Sequence, residues 1–456
     1  MGKHIFDAHI GAIHSEGQLF LGQITDFYHK LTNSNEHSGK KNRQRIKGSA
    51  LLKGIILGLL GFAALGMGLH MAATPSNASG FALFTTGATE LAQCDSVIAH
   101  TEGPASNFYN PALLPALSGT QIEMGTIMLK PAIDFKSDLT GRTTSSRSNY
   151  FFPGSLLISH KIDDRFSVGL GVYSTFGLGN EWPDDWEGKY IVTYSKLKTY
   201  NINPNLAWKV SNSFTLAWGL DILLGDVTLE QKVSLPPDAK QKIDGEGDGY
   251  GYNLGMHYKV SEDLMFGMSY RSGITLEIEG DYSLAIAGLK TGVKTDLDLP
   301  AQIFAGISYK PSENILLEIG GKWEEWSSYK DLKLKADLPI FLGSDTITIP
   351  KDWKNVFGFN IGIKYNIDST LSISAGYLHE GNPVPSDTFE PSVPVSDRND
   401  YSVGIQKTFN KHKIGLSYLY DRYDSRHKNN NVGSGLANGK YEQDIHMIGL
   451  SISYIL

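Results

Sequence analysis

The sequence predicts an all-β chain, a transmembrane antiparallel β-barrel of about 14 strands. Three observations carry that expectation. Beyond about residue 118 a two-residue alternation of apolar with polar or small side chains dominates, and no helical period is sustained. Short turns and longer connections then alternate along the chain, as periplasmic turns and external loops do in bacterial barrels. Finally, the 456 residues include 49 Gly, 22 Tyr and 20 Phe, which suits a barrel that needs aromatic girdles and small residues where strands bend or pack.

Taken in order, residues 1–39 form an N-terminal extension of unknown role. In 40–78 the sequence reads as a signal-peptide region. Lys40, Lys41, Arg43, Arg45, Lys47 and Lys53 precede an uncharged run from Gly54 to Leu69. That run is shorter than the roughly 20 residues of a spanning helix. Ser76-Asn77-Ala78 follows, with small residues at both key positions, so cleavage is expected after Ala78. A retained membrane anchor is the alternative. Residues 79–118 do not read as a strand: they are small and polar and end in Asn107-Phe-Tyr-Asn-Pro-Ala-Leu113. Pro111 biases Asn110 away from helix and favours a bend there.

From 119 to 456 the strands follow. Phe166, Val168, Leu170 and Val172 alternate with Ser167, Gly169 and Gly171; Phe357, Phe359, Ile361, Ile363 and Tyr365 alternate with Gly358, Asn360, Gly362 and Lys364. Short turns are expected at 161–165, 210–213, 260–263, 310–314, 366–369 and 409–412. Longer connections are expected near 137–148, 177–187, 234–247, 285–299, 335–352, 381–398 and 425–440. A β-sandwich has no reason for this alternation, and an even strand number puts both barrel ends on the periplasmic side. The last strand ends at the final residue, with Tyr454 third from the end, which looks like a signal for the barrel assembly machinery.

Other classes are disfavoured. A net charge of −7 implies no basic face for nucleic acid. Cys94 is the single cysteine, so no intramolecular disulfide forms. There is no Gly-x-Ser-x-Gly elbow, no His-Glu-x-x-His and no paired Cys. Asp244-Gly-Glu-Gly-Asp-Gly249 opens like a calcium loop, but its twelfth position is Gly255 rather than Glu. No catalytic residue, metal or cofactor is expected.

The segment Gly381-Asn-Pro-Val-Pro-Ser-Asp-Thr-Phe-Glu-Pro-Ser-Val-Pro-Val-Ser-Asp-Arg398 is unusual, because its four prolines must sit outside any ladder. With Ser79-Gly-Phe81, the Asn110-Pro111-Ala112 triplet and Ser174-Thr-Phe-Gly-Leu-Gly179, it resembles the FadL/TodX (OMPP1) family of outer-membrane transporters for long-chain fatty acids and other hydrophobic compounds. Asp248-Gly-Tyr-Gly-Tyr252 and Leu297-Asp-Leu-Pro300 fit the same order.

The resemblance implies a location in the bacterial outer membrane and a barrel plugged by residues 79–118 as a hatch, with Asn110, Pro111 and Ala112 at its base. A plug is physically reasonable, since 14 strands enclose more space than their own side chains fill. It also implies an inward kink of the third strand at Phe176 and Gly177, through which substrate leaves sideways into outer-membrane lipid. The expected cargo is a hydrophobic small molecule, a fatty acid or an aromatic hydrocarbon. Candidate contacts are Phe81, Phe84 and Phe108. The family's carboxylate-binding basic residues fall near Gln231 and Ile349, with Lys232 and Lys351 close by. A one-residue shift moves a strand side chain to the other face, so these lysines replace them only if the register slips. An outer-membrane lipid-active enzyme and a surface adhesin on a barrel scaffold are the alternatives.

Overall fold

The computed structural model describes residues 80–456 apart from 84, 85, 236, 286, 287 and 342. The expected extension, the signal-peptide region and Phe84 therefore lie outside the described residues.

Fourteen strands form the wall. The first four are β1 (Thr120–Ser137), β2 (Gly154–Lys161), β3 (Phe166–Tyr173, resuming as Gly177–Glu181) and β4 (Tyr194–Lys209). Then come β5 (Phe214–Val233), β6 (Ala239–Lys259), β7 (Leu264–Arg271 and Ile274–Leu284) and β8 (Leu289–Leu299 and Gln302–Ser312). β9 (Ile315–Glu324 and Asp331–Ala336) and β10 (Thr346–Pro350 and Val356–Asn366) are likewise interrupted. The last four are β11 (Leu371–Glu380), β12 (Arg398–Phe409), β13 (His412–Tyr423) and β14 (Gly439–Ile455). Neighbours pair antiparallel, and β14 returns to β1 from Gln121↔Ile455 to Ser137↔Gly439, which closes the barrel. Closure leaves no sheet edge there to be satisfied by lipid.

The two faces of the wall are inverted relative to a soluble protein. On β9, Ile319 is 62% exposed whereas its neighbour Glu318 is fully buried. Trp218, Leu254, Phe359 and Leu450 repeat the outward apolar pattern. An apolar outer belt around a polar interior is what a lipid-spanning barrel requires.

All six expected short turns are present. The expected long connections at 234–247, 285–299 and 335–352 are shorter than the sequence suggested. β5 and β6 are joined by 234–238, β8 begins at Leu289, and β10 begins at Thr346. These strands continue past the apolar belt with polar outer faces, where hydrophobic alternation gives no signal. Asp244–Gly249 lies inside β6 rather than in a loop.

Residues 86–117 run inside the barrel. They contain two single-turn helices, α1 (Ala88–Leu91) and α2 (Ser106–Tyr109), and a 3₁₀ helix at Pro111–Ala116. The wall admits their backbone where inward positions are glycine: a Cβ on Gly376 would lie 2.3 Å from Gln93 C, and one on Gly267 would lie 1.9 Å from Ile98 O.

Candidate functional site

The inner segment is tied to the wall by polar side chains. Glu318 accepts from the amides of Ile98 (2.5 Å) and Ala99 (3.1 Å), and meets His100 Nδ1 at 2.6 Å. Lys364 of β10 pairs with Glu102. Asn110 adopts extended backbone before Pro111, and its Oδ1 accepts from the Ala112 amide at 3.1 Å, capping the 3₁₀ helix. Its Nδ2 donates to Ile98 O (2.8 Å) and to Met256 O on β6 (3.0 Å). Burial lowers the affinity of His100 for a proton, but Glu318 and Glu102 outweigh it and lift its pKa to about 9. For Glu90, burial and then the charges of Glu123 and Glu102 raise it to about 8.

β3 is broken between Tyr173 and Gly177. Tyr173 pairs with Asn201 and Gly177 with Lys198, so β3 advances four residues while β4 advances three. The extra residue is a bulge. Thr199 holds it, its Oγ1 accepting from the Phe176 amide (3.1 Å) and donating to Phe176 O (2.7 Å).

The β2–β3 ladder stops at Leu156↔Val172. Above it, among the described residues, Gly177–Glu181 pairs with β4 alone. The two chains meet again where the Arg147 amide donates to Glu181 O (2.7 Å) and its guanidinium pairs with the Glu181 carboxylate (2.6 Å). Between these limits the wall has a window without ladder bonds. Phe151 fills part of it, its ring 2.2 Å from where a Cβ on Gly179 would stand.

Inside the window lies a cavity of about 430 Å³. Phe81, Phe176 and Ile133 line it from the lumen, and Tyr150, Phe152 and Tyr200, all more than a third exposed, line its outer lip. Residues 81–83 cross it as a short strap: the Gly177 amide donates to Phe81 O (2.9 Å) and the Leu83 amide to Thr175 O (2.8 Å). Gly177 does not have a left-handed backbone. Glycine suits the position through close approach, since a Cβ would stand 2.5 Å from Leu83 Cδ1 and the Leu83 side chain would have to turn aside. Phe81 sits in a box of rings, 4.8 Å from Trp326, 5.5 Å from Trp353 and 6.2 Å from Tyr329.

The proline-rich segment folds back over this chamber. Trp182 Nε1 donates to Pro391 O (3.2 Å) and Asn430 Nδ2 to Phe389 O (2.9 Å), while Arg426 stacks 4.2 Å from the Phe389 ring.

Comparison with known proteins fits this geometry. The family model described as "Outer membrane protein transport protein (OMPP1/FadL/TodX)" matches residues 69–455. The chain belongs to this family. A long-chain fatty acid transport protein of Escherichia coli O6:H1 is 23% identical over 412 residues, covering 78% of this chain and 90% of the relative. Outer membrane protein P1 of Haemophilus influenzae is 20% identical over 413 residues, covering 78% and 88%. Among solved structures, a Pseudomonas aeruginosa FadL homologue superposes with a TM-score of 0.75 at 19% identity, covering 83% of this chain and 100% of that one. The Pseudomonas putida toluene transporter TodX gives 0.66 at 17% identity, covering 81% and 97%. These relatives share the fold of an outer-membrane β-barrel, and the curated ones are transport or outer-membrane proteins.

Within this FadL/TodX barrel the residues singled out from sequence separate. Phe81, Phe176 and Gly177 line the chamber. Phe108 lies below it, 5.0 Å from the Tyr173 ring and 5.1 Å from the Arg271 guanidinium. Lys232 is outside it, 3.0 Å from Asp184. Lys351 is buried against Glu390 of the proline-rich segment. Burial opposes its charge, but Glu390 prevails and raises its pKa. Sequence reasoning missed Trp326, Trp353, Glu318 and the Arg147–Glu181 clasp. A signal existed for the tryptophans only: both fall where the alternation of β9 and β10 is interrupted.

Proposed function

We propose that this protein is a passive channel for hydrophobic compounds, with no catalytic step, and that cargo leaves the chamber sideways through the β2–β3 window. The observation that carries the reading is the cavity itself, which reaches from buried lumen rings to exposed rings on the lipid side across a stretch of wall without ladder bonds. A greasy molecule following it exchanges one apolar surface for another and never crosses periplasmic water. The inner segment acts as the hatch that closes the axial route. Outer-membrane lipid receives the cargo, and the last strand, β14, serves recognition by the assembly machinery.

Fatty acids and aromatic hydrocarbons, the cargo named for relatives, are both candidates. The chamber favours neutral compounds. Its innermost cation, Arg398, is already held by Glu380 (2.7 Å) and Asp421 (3.2 Å), and a buried carboxylate without a partner is strongly disfavoured.

Gly177→Val tests the exit. The added side chain presses on Leu83 and fills the inner mouth of the window, so uptake of a fatty acid and of a neutral aromatic should both slow at an unchanged amount of assembled barrel. Unchanged uptake of both by a correctly assembled variant rules out exit at this point.

A further inference from the structure

Two amide oxygens in the chamber wall have no hydrogen-bond partner: Asn180 Oδ1 and Gln443 Oε1. Both residues line the same cavity, from β3 and β14. The Asn180 amide is oriented by its own donor, since Nδ2 reaches Pro391 O at 2.8 Å. Among the described residues, no chamber-lining side chain presents a buried donor without a partner. Among the buried groups of this apolar chamber the imbalance is one-sided: spare acceptors and no spare donors.

We infer that the chamber selects hydrophobic compounds bearing a neutral hydroxyl donor, phenols or alkanols, over both bare hydrocarbons and carboxylates. This rests on the reading that the chamber holds the transported compound. A bare hydrocarbon fills the volume but leaves the acceptors stranded in a dry site. A carboxylate brings only further acceptors. A hydroxyl supplies what is missing, and sites built to bond a hydroxyl discriminate strongly against analogues that lack it. Asn180 and Gln443 are thus specificity-determining residues in a chamber whose volume the rings set.

Three para-methyl rings of matched size separate the possibilities: p-cresol, p-xylene and p-toluate, each titrated onto the purified full-length barrel in detergent. p-Cresol should bind about tenfold or more tighter than either of the others, the factor one recovered hydrogen bond supplies. Asn180→Leu and Gln443→Leu, on different strands, should each cut the cresol-to-xylene preference by about fivefold or more, for loss of that same bond. Unboiled gel mobility verifies assembly, and either variant suffices if the other does not assemble. Equal binding of p-cresol and p-xylene, tighter binding of p-toluate, or an unchanged preference in assembled variants overturns the inference. Binding of none of the three by a folded barrel overturns instead the reading of the chamber as a binding site.

Discussion

Glu318 and His100 explain how an inner segment of modest size stays in place. A buried carboxylate is tolerated only when donors surround it, and Glu318 has two amides and an imidazole. His100 and Glu90 give the docking of the inner segment a pH dependence whose sign follows from linkage. The pKa of His100 is raised from 6.5 to about 9 in the docked state and that of Glu90 from 4.5 to about 8. Both bind more protons docked than free within those windows, so docking weakens as pH rises. The Glu90 contribution fades between about pH 4.5 and 8, and that of His100 from its free value up to about pH 9. Protease cleavage of the inner segment, followed from pH 5 to 10 on assembled protein, should accelerate with pH. A rate that falls or stays flat, after correction for the protease's own profile, contradicts the assignment. None of this was legible in the sequence, where Glu318 reads as one more polar residue on the small face of a strand.

At the scale of elements, β10 shows what alternation can and cannot reveal. Phe357 to Tyr365 displays its lipid face openly, and the structure places Phe357, Phe359 and Ile361 outward as the pattern requires. Ile361→Arg should therefore impair assembly, at about 2–4 kcal/mol if the position lies near the bilayer midplane. Loss of the heat-modifiable band, or a lowered urea midpoint in lipid vesicles, measures it; normal assembly would show that Ile361 does not face hydrocarbon. Other elements were less legible for physical reasons. The outer parts of β7 and β8 carry Glu277, Glu279, Asp296 and Asp298, and a strand that stands in water on its outer face looks like a loop. The resemblance pointed to Phe176-Gly177, but the cause of the β3 break was not legible. The stretch that leaves β3 without a ladder partner is the connection leading into β2, and the clasp that ends the window joins Arg147 to Glu181, far apart in sequence.

The whole molecule is a closed wall around a docked segment, and the two contribute separately. Wall stability comes from strand pairing that runs unbroken through the β14–β1 seam. The inner segment enters through side-chain bonds and ring contacts, apart from its strap. Deleting residues 79–117 should accordingly leave a folded barrel with a larger aqueous conductance in planar bilayers, and equal conductance would show that the segment does not obstruct the pore. The barrel and its closure were readable from the sequence because strand period and turn spacing are local. The chamber was not, because it is assembled from β1, β3, β4, β13, β14 and the strap, and no local pattern reports which inward residues converge.

A crystal of the full-length protein soaked with a brominated alkylbenzene tests the lateral route most directly, because anomalous scattering locates the bromine without reference to the protein's own density. The account predicts bromine in the chamber beside Phe81 and Phe176, and a second position in the β2–β3 window between Phe151 and Tyr200. Bromine found instead along the barrel axis, past the Asn110-Pro111-Ala112 turn and toward the periplasmic end, with the window empty, would contradict it.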